Sequence, residues 1–192
     1  SACLVGSEMC IRDRQQGIDV VAGYVEPHAH PKTAALLNGL EVLPTREVFY
    51  NGMILNEFDI GMALKRKPQL ILVDELAHTN AEGCRHAKRY QDIKELLNAG
   101  IDVYTTVNVQ HIESLCDTVA SITEIVVRER IPDSIFDNAD QVELIDIEPQ
   151  DLINRLNTGN VYRQTQEKQA VENFFTIENL TALREISLRR CA

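Results

Sequence analysis

The 192-residue chain has no tryptophan, and aromatic residues make up only 5% of it, so a stacking platform for bases is not expected. No apolar run approaches the roughly 18 residues needed to span a bilayer. Five cysteines lie scattered without a C-x-x-C pair, which points to reduced thiols in a cytosolic setting rather than a disulfide frame. Basic residues are in deficit: 19 Lys and Arg stand against 29 Asp and Glu, a formal charge of −10. That balance argues against a nucleic-acid backbone or an anionic membrane surface as the main partner. The sequence also contains no G-x-x-x-x-G-K-[ST] phosphate loop.

What is present is centred on the stretch from Gln69 to Asn80. Leu70 to Val73 is a short unbroken apolar run, the pattern of a strand buried on both faces, and it ends in Asp74 and Glu75. In a parallel sheet ligands collect outside the carboxyl ends of strands. An apolar strand ending in Asp-Glu is similar to the Walker B element of nucleotidases, where the Asp holds Mg²⁺ and the Glu polarises water.

Around it, strands alternate with helices. Residues 17–25, 47–50 and 101–107 read as strands, with Asn51-Gly52 as a tight turn. A helix capped by Asn56 or Asp59 runs to Lys67, and others cover residues 31–37, 87–98 and 108–123. Two further strands are expected at 125–131 and 141–147, with a short helix between them at 132–138. From Pro149 the pattern becomes helical, with helices closed by Gly159, over 167–176 and over 179–190. The alternation predicts an α/β fold with a mostly parallel sheet and flanking helices. The domain reading is a segment 1–14 without sustained periodicity, set aside as non-native and adaptor-like; an α/β domain over 15–148; and a helical extension over 149–192.

Five blocks, Gly23 to His28, Thr33 to Glu41, Leu72 to Asn80, Arg85 to Asp92 and Gly100 to His111, together with Glu172 to Phe175 and Asn179 to Glu185, closely resemble the KdpD family. Its members are membrane-bound sensor histidine kinases of two-component systems that control high-affinity potassium uptake. The resemblance runs from about Gly17 to the end and covers the N-terminal cytoplasmic sensor domain. It implies a P-loop-nucleotidase-like fold, here without its first strand and phosphate loop. It also implies ATP and Mg²⁺ as cofactors of the intact parent, with this chain alone expected to bind none.

On that resemblance Asp74 is the Mg²⁺ ligand and Glu75 the candidate catalytic residue that orients water. Thr105, Thr106 and Asn108 are candidate nucleotide contacts; alternation sends only one of the two threonines toward the site, and Asn108 has helix capping as its other role. Glu75 makes a true ATPase one alternative, and a nucleotide-independent interaction module is another. A metal hydrolase built on the five histidines (28, 30, 78, 86, 111) lacks any i, i+4 pair. Arg85, Lys88 and Arg89 form a basic cluster suited to a solvated face, a phosphate or another subunit. The implied partners are the remaining domains of the same kinase, its response regulator through the parent, and a second copy of the chain. The implied location is the cytoplasmic side of a membrane-anchored protein.

Overall fold

A computed structural model describes residues 2–25, 35, 37–158 and 174–192. The chain divides into two compact units, Ser1–Val107 and Asn108–Ala192. The change of sequence pattern, by contrast, falls at Pro149.

The first unit opens with helix α1, Ala2–Gln15. Strand β1, Val20–Tyr24, is buried along its whole length and is followed by the two-residue β2, Glu41–Val42. β3, Arg46–Tyr50, and β4, Met53–Glu57, form an antiparallel hairpin. Asn51 (φ 47°) and Gly52 (φ 81°) turn it, as a two-residue primed turn requires. Helix α2, Ile60–Arg66, starts where the Asp59 carboxylate accepts the Met62 amide at 3.0 Å, and it stops at a left-handed Lys67. Then come β5, Leu70–Val73, α3, Arg89–Asn98, and β6, Asp102–Thr105.

The main sheet has the order β2-β1-β5-β6, and every pairing in it is parallel. This is the expected α/β architecture: a parallel four-stranded sheet with flanking helices, of P-loop-like type. β5 pairs with β1 on one side and β6 on the other, and all four of its residues are buried. Buried amides and carbonyls that lack a partner are costly, and direct pairing removes that cost.

The segment set aside from fold reasoning is a 14-residue helix. Its buried positions, Ser7, Cys10 and Asp13, recur every third residue. Two of the three are polar, which hides the helical period from a hydrophobicity reading. Cys10 packs with Val20, Leu40, Leu70 and Leu72, and burial with the nearby Asp13 charge pushes its thiol up to about 12. The Tyr104 hydroxyl donates to Asp13 Oδ2 at 2.7 Å.

The second unit has no named strand among its described residues. Two 3₁₀ turns, Val109–His111 and Glu113–Leu115, lead into α4, Cys116–Thr123. α5, Asp133–Asp137, α6, Pro149–Thr158, and α7, Ile177–Cys191, follow. The long helix expected over 108–123 is broken because Ile112 is extended and bridges Ile131. The Glu113 amide donates to the Ile131 carbonyl at 3.0 Å, and the Ile131 amide to the His111 carbonyl at 2.8 Å. Those bonds replace the helical ones at that point.

The strands expected at 125–131 and 141–147 are likewise not formed; apart from the Ile131 bridge, they have no sheet to join. Val126 is 70% exposed and Val142 is 42% exposed, so the apolar alternation there does not line a core. The helices expected at 31–37 and 167–176 fall largely outside the described residues, as does the Gly159 stop.

Candidate functional site at the strand ends

β5 delivers Asp74 to the carboxyl edge of the sheet, where its amide donates to the Tyr24 carbonyl at 2.9 Å. Asp74 is buried, and its Oδ1 accepts a hydrogen bond from the Thr106 hydroxyl. The same hydroxyl oxygen accepts the Glu75 amide at 3.2 Å, and the Leu76 amide donates to the Thr106 carbonyl at 2.9 Å. Glu75 has φ 60°, a left-handed conformation that turns the chain sharply after the strand. Its side chain is 41% exposed, with Oε2 3.9 Å from His78 Nδ1.

Asp74, Glu75 and Thr106 therefore come together. Thr105, one residue earlier, is exposed at the end of β6. Asn108 is extended and makes no side-chain capping bond to the turn that follows it.

Sequence reading missed the group that organises this corner. Arg89, read from the sequence as part of a basic cluster suited to a solvated face, a phosphate or another subunit, is fully buried. Its Nη1 donates to the Asp74 carbonyl at 2.9 Å, its Nη2 pairs with Glu57 Oε2 at 3.2 Å, and its guanidinium lies 4.3 Å from the centre of the Tyr24 ring. Glu57, at the buried end of β4, also meets His78 Nε2 at 3.1 Å and accepts the Ala81 amide at 2.9 Å. Burial pushes the Glu57 carboxyl upward. The His78 contact, the Ala81 amide and the Arg89 charge outweigh that and hold it below the usual carboxylate range.

The rest of the basic cluster is dispersed. Arg85 pairs with Glu95 at 2.6 Å, and Lys88 Nζ donates to the Thr79 hydroxyl at 2.6 Å. Residues 53–57 do not alternate apolar with polar, so neither β4 nor the burial of its last residue, Glu57, is legible, and Arg89 has no visible partner in the sequence.

The loop between β5 and α3 is tied down along its length. The Asn80 amide group donates to the His86 carbonyl at 2.9 Å and to Asp92 Oδ2 at 2.7 Å, and burial pushes the Asp92 carboxyl up. His86 sits 2.7 Å from Glu95, and His111 Nδ1 lies 2.8 Å from the Glu129 carbonyl. His28 and His30 lie outside the described residues. Among the described residues, no three His, Cys, Asp or Glu side chains gather as a metal set.

Magnesium takes a near-octahedral shell of oxygens, normally shared between carboxylate, water and substrate phosphates. The strand ends offer one buried carboxylate whose oxygen already holds the Thr106 hydroxyl. The sequence contains no G-x-x-x-x-G-K-[ST] loop, and so no phosphate-loop lysine, to receive a triphosphate. Among the described residues, the strand ends alone do not complete a Mg-ATP site.

A parallel sheet with flanking helices and a carboxylate-bearing central strand defines the P-loop-like α/β class. Within that class the assignment is specific. A family model described as the osmosensitive K⁺ channel His kinase sensor domain (KdpD) matches residues 8–192, and the chain belongs to that family. The match begins inside the segment that sequence reading sets aside. A sensor protein KdpD of Clostridium acetobutylicum is 60% identical over 93% of this chain and 20% of its own length. One from Escherichia coli is 57% identical over 94% of this chain and 20% of its own length. A putative sensor protein KdpD of Synechocystis is 50% identical over 93% of this chain and 48% of its own length. The chain thus spans about a fifth of the first two relatives. Among its described residues no helix is long and apolar enough to cross a membrane.

Proposed function

We propose that the chain acts as part of the sensor domain of a two-component histidine kinase controlling high-affinity potassium uptake. In the intact parent it contributes the carboxylate side of a regulatory Mg-ATP site, whose phosphate cradle is not in this sequence. The observation that carries the reading is the Asp74–Thr106 contact at the carboxyl ends of two adjacent parallel strands, with Glu75 turned outward beside it. Ligands of parallel α/β sheets gather at such ends. The buried Arg89 fixes the main chain of Asp74, so the carboxylate is held ready rather than recruited. The remaining kinase domains, a response regulator reached through them, and a membrane anchor elsewhere in the parent belong to the same proposal.

Glu75 favours a second reading, in which the parent hydrolyses ATP; its half-exposed carboxylate next to the strand end is suited to orienting water. Calorimetric titration with Mg-ATP tests the first reading. The chain as it stands is expected to give no saturable heat at tens of micromolar protein. The chain extended by a strand and glycine-rich phosphate loop is expected to bind one-to-one, and Asp74→Ala in that protein to abolish the binding. Binding that survives Asp74→Ala overturns the assignment. Glu75→Gln then separates the two readings: turnover lost with binding kept identifies an ATPase.

A further inference from the structure

The carboxyl edge of the sheet carries a second concavity beside the Asp74 corner, which shares Tyr24, Glu57 and His78 with it. A cavity of about 430 Å³ opens between the β3–β4 hairpin and the loop that follows β5. Its volume falls in the range of small-molecule sites, about 300–1,000 Å³. Its chemistry is one-sided. Among the described residues that line it, Tyr24 and Tyr50 supply aromatic surface, Glu57 and Glu82 supply carboxylates, and there is neither lysine nor arginine. The Glu57 carboxylate is already occupied by Arg89, His78 and the Ala81 amide. Glu82 is exposed and has no partner among the described residues. The Arg89 guanidinium already covers the Tyr24 ring at 4.3 Å, so Tyr50 is the aromatic surface left for a ligand.

We propose that this cleft is a binding site for a small organic cation, an ammonium with an apolar body. The charge is received by Glu82, and the apolar body lies against Tyr50 and Leu55. A bare metal ion is a poorer occupant, since no metal-ligand cluster forms among the described residues and the walls are partly aromatic. The proposal stands apart from the nucleotide reading, because none of its residues is a proposed nucleotide contact.

Choline is the probe, with its neutral isostere 3,3-dimethylbutan-1-ol as the charge control and potassium chloride at matched ionic strength as the screening control. Amide chemical-shift titration of the full 192-residue chain is the readout. Choline is expected to shift the amides of Tyr50, Leu55, Asn56 and His78 to Glu82 saturably, and the isostere is expected to shift them weakly. Glu82→Gln and Tyr50→Leu should each weaken binding by roughly two- to fivefold; both sites are at the surface, so either variant alone suffices if the other fails to fold. Equal binding of the isostere, shifts spread over the acidic surface and reproduced by potassium chloride, or no saturable shift at all would overturn the proposal.

Discussion

The two units are held together differently. Ser1–Val107 is organised by backbone: four parallel strands, a hairpin, and a core whose Ile71, Leu72 and Val73 are fully buried. Its one fully buried arginine is locked to a buried glutamate. Asn108–Ala192 is organised by short helices around a small core of Ile112, Cys116, Val119, Ile131, Leu180 and Leu183. Its ion pairs lie at the surface, with Arg184 on Asp146 and Glu148, and Arg190 on Asp133 and Asp137. The first unit thus has a buried ion pair that the second, among its described residues, lacks. A buried pair is costly to break because one partner is left unpaired in the interior, whereas an exposed pair is screened and worth little.

The largest expected effect tests that contrast directly. Arg89→Ala leaves Glu57 buried without its cation and removes the donor to the Asp74 carbonyl, so it should destabilise the first unit by roughly 3–5 kcal/mol. Urea unfolding followed by circular dichroism measures the loss. Hydrogen exchange should assign it to β1, β4 and β5 and leave α7 protected as before. A loss under about 1 kcal/mol would mean that water reaches the pair.

A smaller effect is expected from close packing. A Cβ placed on Gly23 would lie 2.6 Å from Ile71 Cδ1 and 2.9 Å from Phe58 Cε2. Gly23→Ala should therefore cost about 1–3 kcal/mol by overpacking, read as a lower urea midpoint with an unchanged slope. Ile71→Val in the same protein should recover part of it, since the removed methyl is the nearest clashing atom.

The same contrast explains what was legible in the sequence. β1, β3, β5 and β6, the Asn51-Gly52 turn and the Asp59 cap could all be read, because each depends on neighbours close in sequence or on an unbroken apolar run. Residues 125–131 and 141–147 carry the same local signal, but a strand exists only where another strand receives its hydrogen bonds, and that is a non-local fact. At the site, the Asp74-Glu75 step was visible as the end of an apolar run, and alternation narrowed Thr105 and Thr106 to one inward-facing residue. Arg89 was not recoverable: its partners lie 15 and 32 residues away, at Asp74 and Glu57. A Lys-Arg pair in sequence resembles a surface patch until the fold buries one member.

Arg190→Ala probes the second unit. The guanidinium pairs with Asp137 Oδ1 at 2.5 Å, lies 3.5 Å from Asp133 Oδ2 and covers the Phe136 ring at 4.5 Å. Its loss should cost about 1 kcal/mol or less, because the Asp137 side chain is 54% exposed. Repeating the unfolding in 1 M salt should shrink the difference between the two proteins. The Arg89→Ala difference should persist there, since buried charge is screened far less.

The smallest effect is one that acid removes. Arg66 makes a bidentate pair with Asp19, at 2.7 and 2.8 Å, and a second pair with Glu41 at 3.0 Å. Hydrogen bonding from Arg66 is the main reason that both carboxyls titrate below their ordinary range. A carboxylate depressed in the folded state contributes stability that is present above its unfolded pKa, about 4. That contribution is lost as the pH falls through the lowered folded value. Asp92 works in the opposite sense, because burial raises its pKa and protonation on acidification relieves the burial of its charge. The wild-type profile therefore mixes both signs, and only a difference between variants isolates the Arg66 term. Melting temperatures of wild type and Arg66→Met should be compared from pH 7 to pH 2.5. The gap between them should be small at neutral pH, because Asp19 and Glu41 are both nearly half exposed, and it should close as the pH falls below about 4. A gap that stays constant through that window would show that Arg66 acts through packing of its aliphatic stem rather than through its charge.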